Sequence, residues 1–289
     1  MIPRPFRFLA AFVFCLGAAP VLALEGVDLR IAGEDDEELR DSLRAASVLF
    51  DLRDEDESDP ADVLSAAQGD YTRLIEALYA QAYYGAVVRI RLDGREAVTL
   101  DPFLLPTRID TAEIIVEPGR RFRFGRANIG PLAQPGPPVD DFRTGAIARA
   151  TRVRDAARTA VSDWRDQGHA KAEVSGQTIV ARHGDAQLDV DITLAPGPRA
   201  RFGEVTVSGE SRVKPARVRQ IAGIPRGALF MPAAVEKAES RLRRTGTFQS
   251  VRIMEADRVD RDGKLDMDIV LSDRKPRRIG AGAEISSLD

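Results

Sequence analysis

Thiols are almost absent from this chain. Its single cysteine, Cys15, stands inside the N-terminal apolar stretch, so the rest of the molecule forms no disulfide and offers no cysteine-based metal site. Histidine occurs only at His169 and His183, too few and too far from other ligand types for a zinc set. Aromatic residues make up 6% of the chain, and few stand among its basic residues, which argues against nucleic acid as a partner. Beyond the N-terminus no apolar run is long enough for a membrane-spanning helix. No nucleophile, base and orienting group occur together, so no enzyme is expected, and no cofactor or metal with it. Gly280-Ala281-Gly282 lacks the third glycine or lysine of a phosphate loop and its strand-to-helix setting.

What is present is lopsided in charge. Residues 24–120 carry 23 acidic side chains against 10 basic ones, and residues 121–289 carry 22 against 30. The N-terminal part repels anionic surfaces; the C-terminal part tolerates lipid headgroups or lipopolysaccharide. The first residues read as a signal for export. Arg4 and Arg7 precede the apolar run Phe8–Ala19, and Val21-Leu22-Ala23 is a small-residue cleavage site that leaves Leu24 as the new N-terminus. Cys15 lies within the apolar run, away from the cleavage point where a lipoprotein signal would need it. The periplasm of a Gram-negative cell is the expected compartment.

The remaining sequence repeats itself. Gly125, Gly203 and Gly280 each follow an aromatic or apolar residue after a basic one, at intervals of about 78 residues. Gly85, Gly168 and Gly246 each stand between a helical stretch and a strand. A fixed period of this size points to tandem copies of one small fold. In the first copy, Val27–Ile31 alternates as a strand, Asp35 or Asp36 caps a helix with Leu39, Leu43 and Ala46 on its apolar face, and a second helix starts near Asp70 and stops at Gly85. Val87–Leu92 and Thr111–Val116 form a hairpin. In the second copy the four prolines of residues 131–138 exclude helix, Val153, Ala157, Val161 and Trp164 line a helix ending at Gly168, and strands run at 170–174 and 188–194. In the third, Pro215 opens a short helix to Ala222, Met231–Arg244 forms the next, and Ser250–Met254 pairs with Leu265–Leu271.

Each copy therefore reads strand, helix, helix, strand, strand. The expected class is α+β: a tandem of three small β-α-α-β-β domains, each a three-stranded mixed sheet with two helices on one face. The expected divisions are 1–23 for the signal, 24–120, 121–198 and 199–274 for the domains, and 275–289 as the start of something further.

Three features mimic binding sites. His169 occupies the aromatic slot after Gly168, where a structural role is expected. Asp189 with Asp191, and Asp266 with Asp268, resemble carboxylate pairs, but alternation along a strand turns both members to solvent. The acidic run Asp51–Asp59 lacks the glycine and terminal glutamate of a calcium loop. Arg241, Arg243 and Arg244, with Lys275, Arg277 and Arg278, belong to a basic surface of the third copy.

The element order and the turn Gly246-Thr247-Phe248 resemble the POTRA (polypeptide-transport-associated) domain. Gly168-His169 and Tyr84-Gly85 match that turn more loosely. Three such units after an export signal are similar to the periplasmic part of the BamA/TamA superfamily of outer-membrane insertases. Arg278–Ser286 is similar to the first strand of a barrel of that family, whose remaining strands this chain lacks. The resemblance implies a scaffold for outer-membrane protein assembly or autotransporter secretion. Its implied partners are unfolded outer-membrane clients, an inner-membrane-linked partner of the TamB kind, and the outer membrane by way of a barrel. A passive spacer and the POTRA region of a two-partner secretion transporter are the alternative readings.

A scaffold built from small sheets has strand edges to offer. Backbone pairing at an edge accepts many client sequences. The candidate edges are Val87, Val88 and Ile90 in the first copy, Ala172 and Val174 in the second, and Val251 and Ile253 in the third.

Overall fold

The computed structural model describes residues 24–33, 36–53 and 59–274. The expected signal, most of the acidic run and the barrel-like segment lie outside them. The described chain divides into two compact units, one of residues up to 79 with 85–119, the other of residues 80–84 with 120 onward.

The first unit opens with β1 (Gly26–Ile31), α1 (Glu37–Ala46), α2 (Val48–Arg53) and α3 (Pro60–Ala80). It closes with β2 (Val87–Leu92), the two-residue β3 (Arg95–Glu96) and β4 (Thr111–Glu117). Asp36 caps α1 by accepting from the Leu39 N–H at 3.1 Å, and Glu37 and Glu38 suit the positive end of the helix dipole. The sheet order is β1-β4-β2-β3, with β4 parallel to β1 and antiparallel to β2. Ala112, Ile114 and Val116 alternate inward from β4 and are buried, as are Leu39 and Leu43 of α1 and Leu74 and Leu78 of α3. Each large side chain so buried contributes about 1.5–3 kcal/mol.

Asp70 does not begin a helix. It lies in the middle of α3, fully buried, and caps the neighbouring α2 instead. Its carboxylate accepts from the Val48 N–H at 3.0 Å, the Leu49 N–H at 3.3 Å and the Ser47 hydroxyl, and Arg73 pairs with it at 2.8 Å. The true start of α3 is Pro60, behind Asp59, whose side chain accepts from the Ala61 N–H at 2.8 Å. Gly85 does not cap α3 either. The helix ends at Ala80, and Ala82 takes the left-handed conformation at φ 70°.

In the second unit, β5 (Arg123–Gly130), α4 (Ala150–Asp166), β6 (Glu173–Arg182) and β7 (Gln187–Ala195) form the middle domain. The third domain is β8 (Arg201–Glu210), α5 (Pro215–Ala222), α6 (Pro232–Arg244), β9 (Phe248–Glu255) and β10 (Lys264–Asp273). Sheet orders are β5-β7-β6 and β8-β10-β9. In both, the last strand is central, parallel to the first and antiparallel to its hairpin partner. The middle domain has one helix rather than two, because the stretch from Pro131 to Arg149 replaces the other with irregular chain that its prolines cannot fold as helix. Gly168 at φ 95° and Gly246 at φ 68° turn the chain out of α4 and α6. Two separate cores result, one around Phe124, Phe142 and Val190, the other around Phe202, Phe230 and Leu265.

The repeated Phe-Gly pair now has a cause. Gly125 and Gly203 sit at matching irregularities, where β5 and β8 each carry one residue more than the strand they pair with. A Cβ on Gly125 would stand 2.4 Å from the Asp189 carboxylate, and one on Gly203 would stand 2.1 Å from that of Asp266. The Phe-Gly and Asp-x-Asp motifs thus meet across the parallel ladder. Asp189 is not the solvent-facing acid that alternation implies. It is buried at 5% exposure, between Arg182 at 3.3 Å and Arg126 at 3.5 Å. Asp266 instead accepts from the Glu204 N–H at 2.6 Å.

The middle and third domains are fastened within their unit. The Ala200 N–H donates to the Gly168 carbonyl at 2.8 Å. Glu255 at the end of β9 accepts from Arg165 of α4 and from Lys171 at 3.2 Å. Arg165 lies 5.3 Å over the Phe230 ring. Ala170, which holds the position that Phe248 holds one period later, is buried with the third domain's core, so the aromatic slot after Gly168 is filled by an alanine. His169 stands beside it, edge-on to Trp164 with ring centres 4.8 Å apart, its Nδ1 2.8 Å from the Gly197 carbonyl.

Candidate functional site

Every sheet leaves an outer strand whose backbone groups need partners or water. One side is similar in the middle and third domains. Phe124 of β5 donates to Ala146 and accepts from Gly145, while Phe202 of β8 donates to Ala228 and accepts from Gly227. These loops cover the start of each first strand. The other side differs among the three domains, and all the candidate residues lie there.

In the first unit, β3 pairs with Arg91 and Leu92 of β2. The next outward position, Ile90, is occupied by one side chain. The Tyr71 hydroxyl of α3 accepts from the Ile90 N–H at 3.2 Å and donates to its carbonyl at 3.3 Å. Of the proposed edge residues, Ile90 is therefore buried and engaged, while Val87 is exposed and Val88 half-buried beyond the reach of β3.

In the third domain, β9 is the outer strand, and α6 guards it. The Ile253 N–H donates to Glu239 at 3.0 Å, and the Val251 carbonyl accepts from Arg243 at 3.2 Å. Glu239 and Arg243 are one helical turn apart and pair with each other at 2.9 Å. Both candidate residues on this strand are buried, and one backbone group of each is taken by α6.

The middle domain is different. β6 runs for 10 residues, well past the five expected from the sequence, because the strand continues through a bulge at Ser175 and pairs with β7 again from Gly176. Ala172 precedes the strand and is buried; Val174 lies in it. Val174, Ile179 and Val180 are 38%, 45% and 47% exposed. Among the described residues no strand and no side chain bonds to the outward backbone of β6. One period before Glu239 and Arg243, α4 carries Val161 and Arg165. Valine offers no acceptor, and Arg165 is drawn away to the Ala170 carbonyl and to Glu255. Ile179 and Val180 were invisible as candidates, although the run Thr178-Ile179-Val180 has strong strand character.

Among the described residues no cluster of three or more histidine, cysteine or acidic side chains is placed to hold a metal ion, and no helix is long and apolar enough to cross a membrane. The geometry suits association through backbone.

Comparison with known proteins agrees with this architecture. Residues 200–272 match the POTRA family model, described as a surface antigen variable number repeat. The outer membrane protein assembly factor BamA of Neorickettsia risticii is 27% identical over 146 residues, which cover 47% of this chain and 19% of that protein. The match therefore spans about a fifth of the relative's length. The crystal structure of POTRA domains 3–5 of Haemophilus influenzae BamA superposes with a TM-score of 0.57 at 15% identity, covering 89% of this chain and all of that one, a likeness of fold. POTRA domains of this kind are scaffolds and not enzymes. Residues 200–272, the third domain, thus match the POTRA family, and the described chain is a tandem of three small domains similar in fold to the POTRA domains of BamA.

Proposed function

We propose that this chain is the periplasmic scaffold of an outer-membrane assembly or autotransporter secretion factor of the TamA type, and that it holds unfolded clients by strand addition at β6. One observation carries the reading: β6 is long and bare and exposes Val174, Ile179 and Val180, while side chains of the neighbouring domains' own helices engage backbone groups on the matching edges. An exposed strand of this kind is a liability unless it is used. A client strand on β6 gains a row of main-chain hydrogen bonds, which do not depend on client sequence. Val174, Ile179 and Val180 add apolar contacts for a chain that alternates.

Three domains in tandem favour TamA over two-partner secretion transporters, whose POTRA count is lower in the family resemblance. An inner-membrane-linked partner of the TamB kind, and attachment to the outer membrane through a barrel, belong to the same proposal. The test is site-specific photo-cross-linking in the periplasm. A cross-linker at Ile179 or Val174 is expected to capture unfolded outer-membrane clients, and one at Val88 to capture far less. No capture along β6 while clients are being assembled rejects strand addition there.

A further inference from the structure

The positive charge of the third domain is concentrated around its first helix. Residues 211–235 hold five basic side chains, Arg212, Lys214, Arg217, Arg219 and Arg226, and no acidic one. All five are exposed. Among the described residues no carboxylate pairs with Lys214, Arg217, Arg219 or Arg226; the ion pairs inside this domain are Arg243 with Glu239 and Lys264 with Asp262. Val218 and Ala222 of α5 are buried and Ile221 packs against the same core, so Ala216 and Gln220 form the outermost ridge of the helix. Arg217 and Arg219 flank that uncharged ridge, and Arg212 and Lys214 lead into it. Arg241 of α6 donates to the Ala222 carbonyl at 2.8 Å and adds a cation at the C-terminal end of α5. The stretch also adjoins the close of the domain. The Arg212 N–H donates to the Asp273 carboxylate at 2.8 Å, beside the end of β10, after which the sequence continues with Arg274, Lys275, Arg277 and Arg278.

We propose that the outward face of α5 docks the third domain on an anionic phospholipid surface, with Arg212, Lys214, Arg217 and Arg219 contacting its phosphates. The proposal rests on the outer-membrane reading above but uses a different face from strand addition at β6. A plane of headgroup phosphates answers all of these cations together, as one carboxylate on a peptide does not. No aromatic residue occurs in 211–229 to stack on a base, which sets a nucleic acid aside. The basic residues that follow β10 extend the same charge toward the segment that resembles the first strand of a barrel. Residues 24–120, with 23 acidic side chains against 10 basic ones, oppose such a surface only within a Debye length of about 8 Å. That asymmetry makes the third domain the part that approaches lipid.

The test uses the full chain and co-sedimentation with vesicles of phosphatidylglycerol in phosphatidylcholine, against vesicles of phosphatidylcholine alone. The N-terminal apolar run is common to every variant and meets both vesicle types, so it cancels in the ratio of the two. The chain is expected to prefer the anionic vesicles, by about fivefold for each basic residue near the surface. Arg217→Gln with Arg219→Gln is expected to lower that preference about 25-fold, while Arg217→Lys with Arg219→Lys keeps it within about twofold. Arg243→Gln with Arg244→Gln removes the same charge from α6 and is expected to lower it less than about threefold. Equal partition onto the two vesicle types overturns the proposal. So does an equal loss from the two glutamine pairs, which reduces the effect to net charge. Displacement from the vesicles by free inorganic phosphate overturns it by assigning the residues to a soluble anion, and tighter binding to single-stranded RNA at equal phosphate does so by assigning them to nucleic acid. Client capture at Ile179 is read separately, so a missing vesicle preference with capture intact rejects lipid docking and leaves the β6 reading standing. Native circular dichroism of each variant excludes unfolding as the cause.

Discussion

β6 and β9 occupy the same place in two copies of one fold, and only one of them is covered. Both are outer strands paired to a central strand that runs parallel to the first. Both follow a helix and a glycine turn. The difference rests on two positions of the preceding helix, Glu239 and Arg243 in α6 against Val161 and Arg165 in α4. The valine removes an acceptor. The arginine is retained, but Glu255 of the next domain draws it off. A tie between neighbouring domains therefore leaves the middle edge bare. The same fold supplies a protected strand or an exposed one according to where a single guanidinium is spent.

The largest effect is expected from breaking what the two domains share. Gly203→Ala drives a methyl into Asp266 and the β10 backbone, and is expected to cost about 3 kcal/mol or more by overpacking. Chemical denaturation with a probe in the third domain measures it. Gly125→Ala meets mainly side-chain atoms of Asp189, Arg182 and Gln187, and is expected to cost less. Equal costs for the two would mean that the bulges are not held in the same way.

Next comes the tie itself. Glu255→Ala leaves Arg165 and Lys171 without their carboxylate, with a loss of about 2 kcal/mol for partly buried groups. Hydrogen exchange is expected to rise around Ala170 and Phe230, and client capture at Ile179 to fall if the freed Arg165 turns back onto β6. Unchanged capture would separate the tie from the open edge.

A guard can also be removed where it exists. Tyr71→Phe deletes the hydroxyl that serves both backbone groups of Ile90, at a cost of about 1 kcal/mol, and is expected to speed exchange of the Ile90 amide. The change aimed most directly at the open edge is Val161→Glu, which gives α4 the acceptor that α6 has, at the loss of the packing of Val161 against the middle domain's core. Photo-cross-linking at Ile179 is then expected to drop at least about threefold, as edge protection by an inward charge predicts. No drop would mean that the helix residue does not govern access to β6.

Much of this was legible in the residues themselves. The hairpin of Val87–Leu92 with Thr111–Glu117, the short helix from Pro215 and the turns at Gly168 and Gly246 follow from local chemistry: alternation, a proline in a first turn, and glycine where φ is positive. Other signals were real but pointed elsewhere. Asp70 is a cap, of a helix that begins 22 residues earlier. The expected end of a strand at Val174 is a bulge at Ser175, after which β6 continues from Gly176 to Arg182. Asp189 alternates as a surface residue does, yet two arginines and a side-chain-free neighbour make a buried place for it.

The amino-acid order by itself determined that one small mixed fold is built three times, because hydrophobic period and turn chemistry act over a few residues. Which edge stays open was decided only by the tertiary structure. Tyr71 and Ile90 are 19 residues apart, Glu239 and Ile253 are 14, and Arg165 and Glu255 are 90. A backbone group is covered or bare according to which distant side chain reaches it, and no local pattern records that distance.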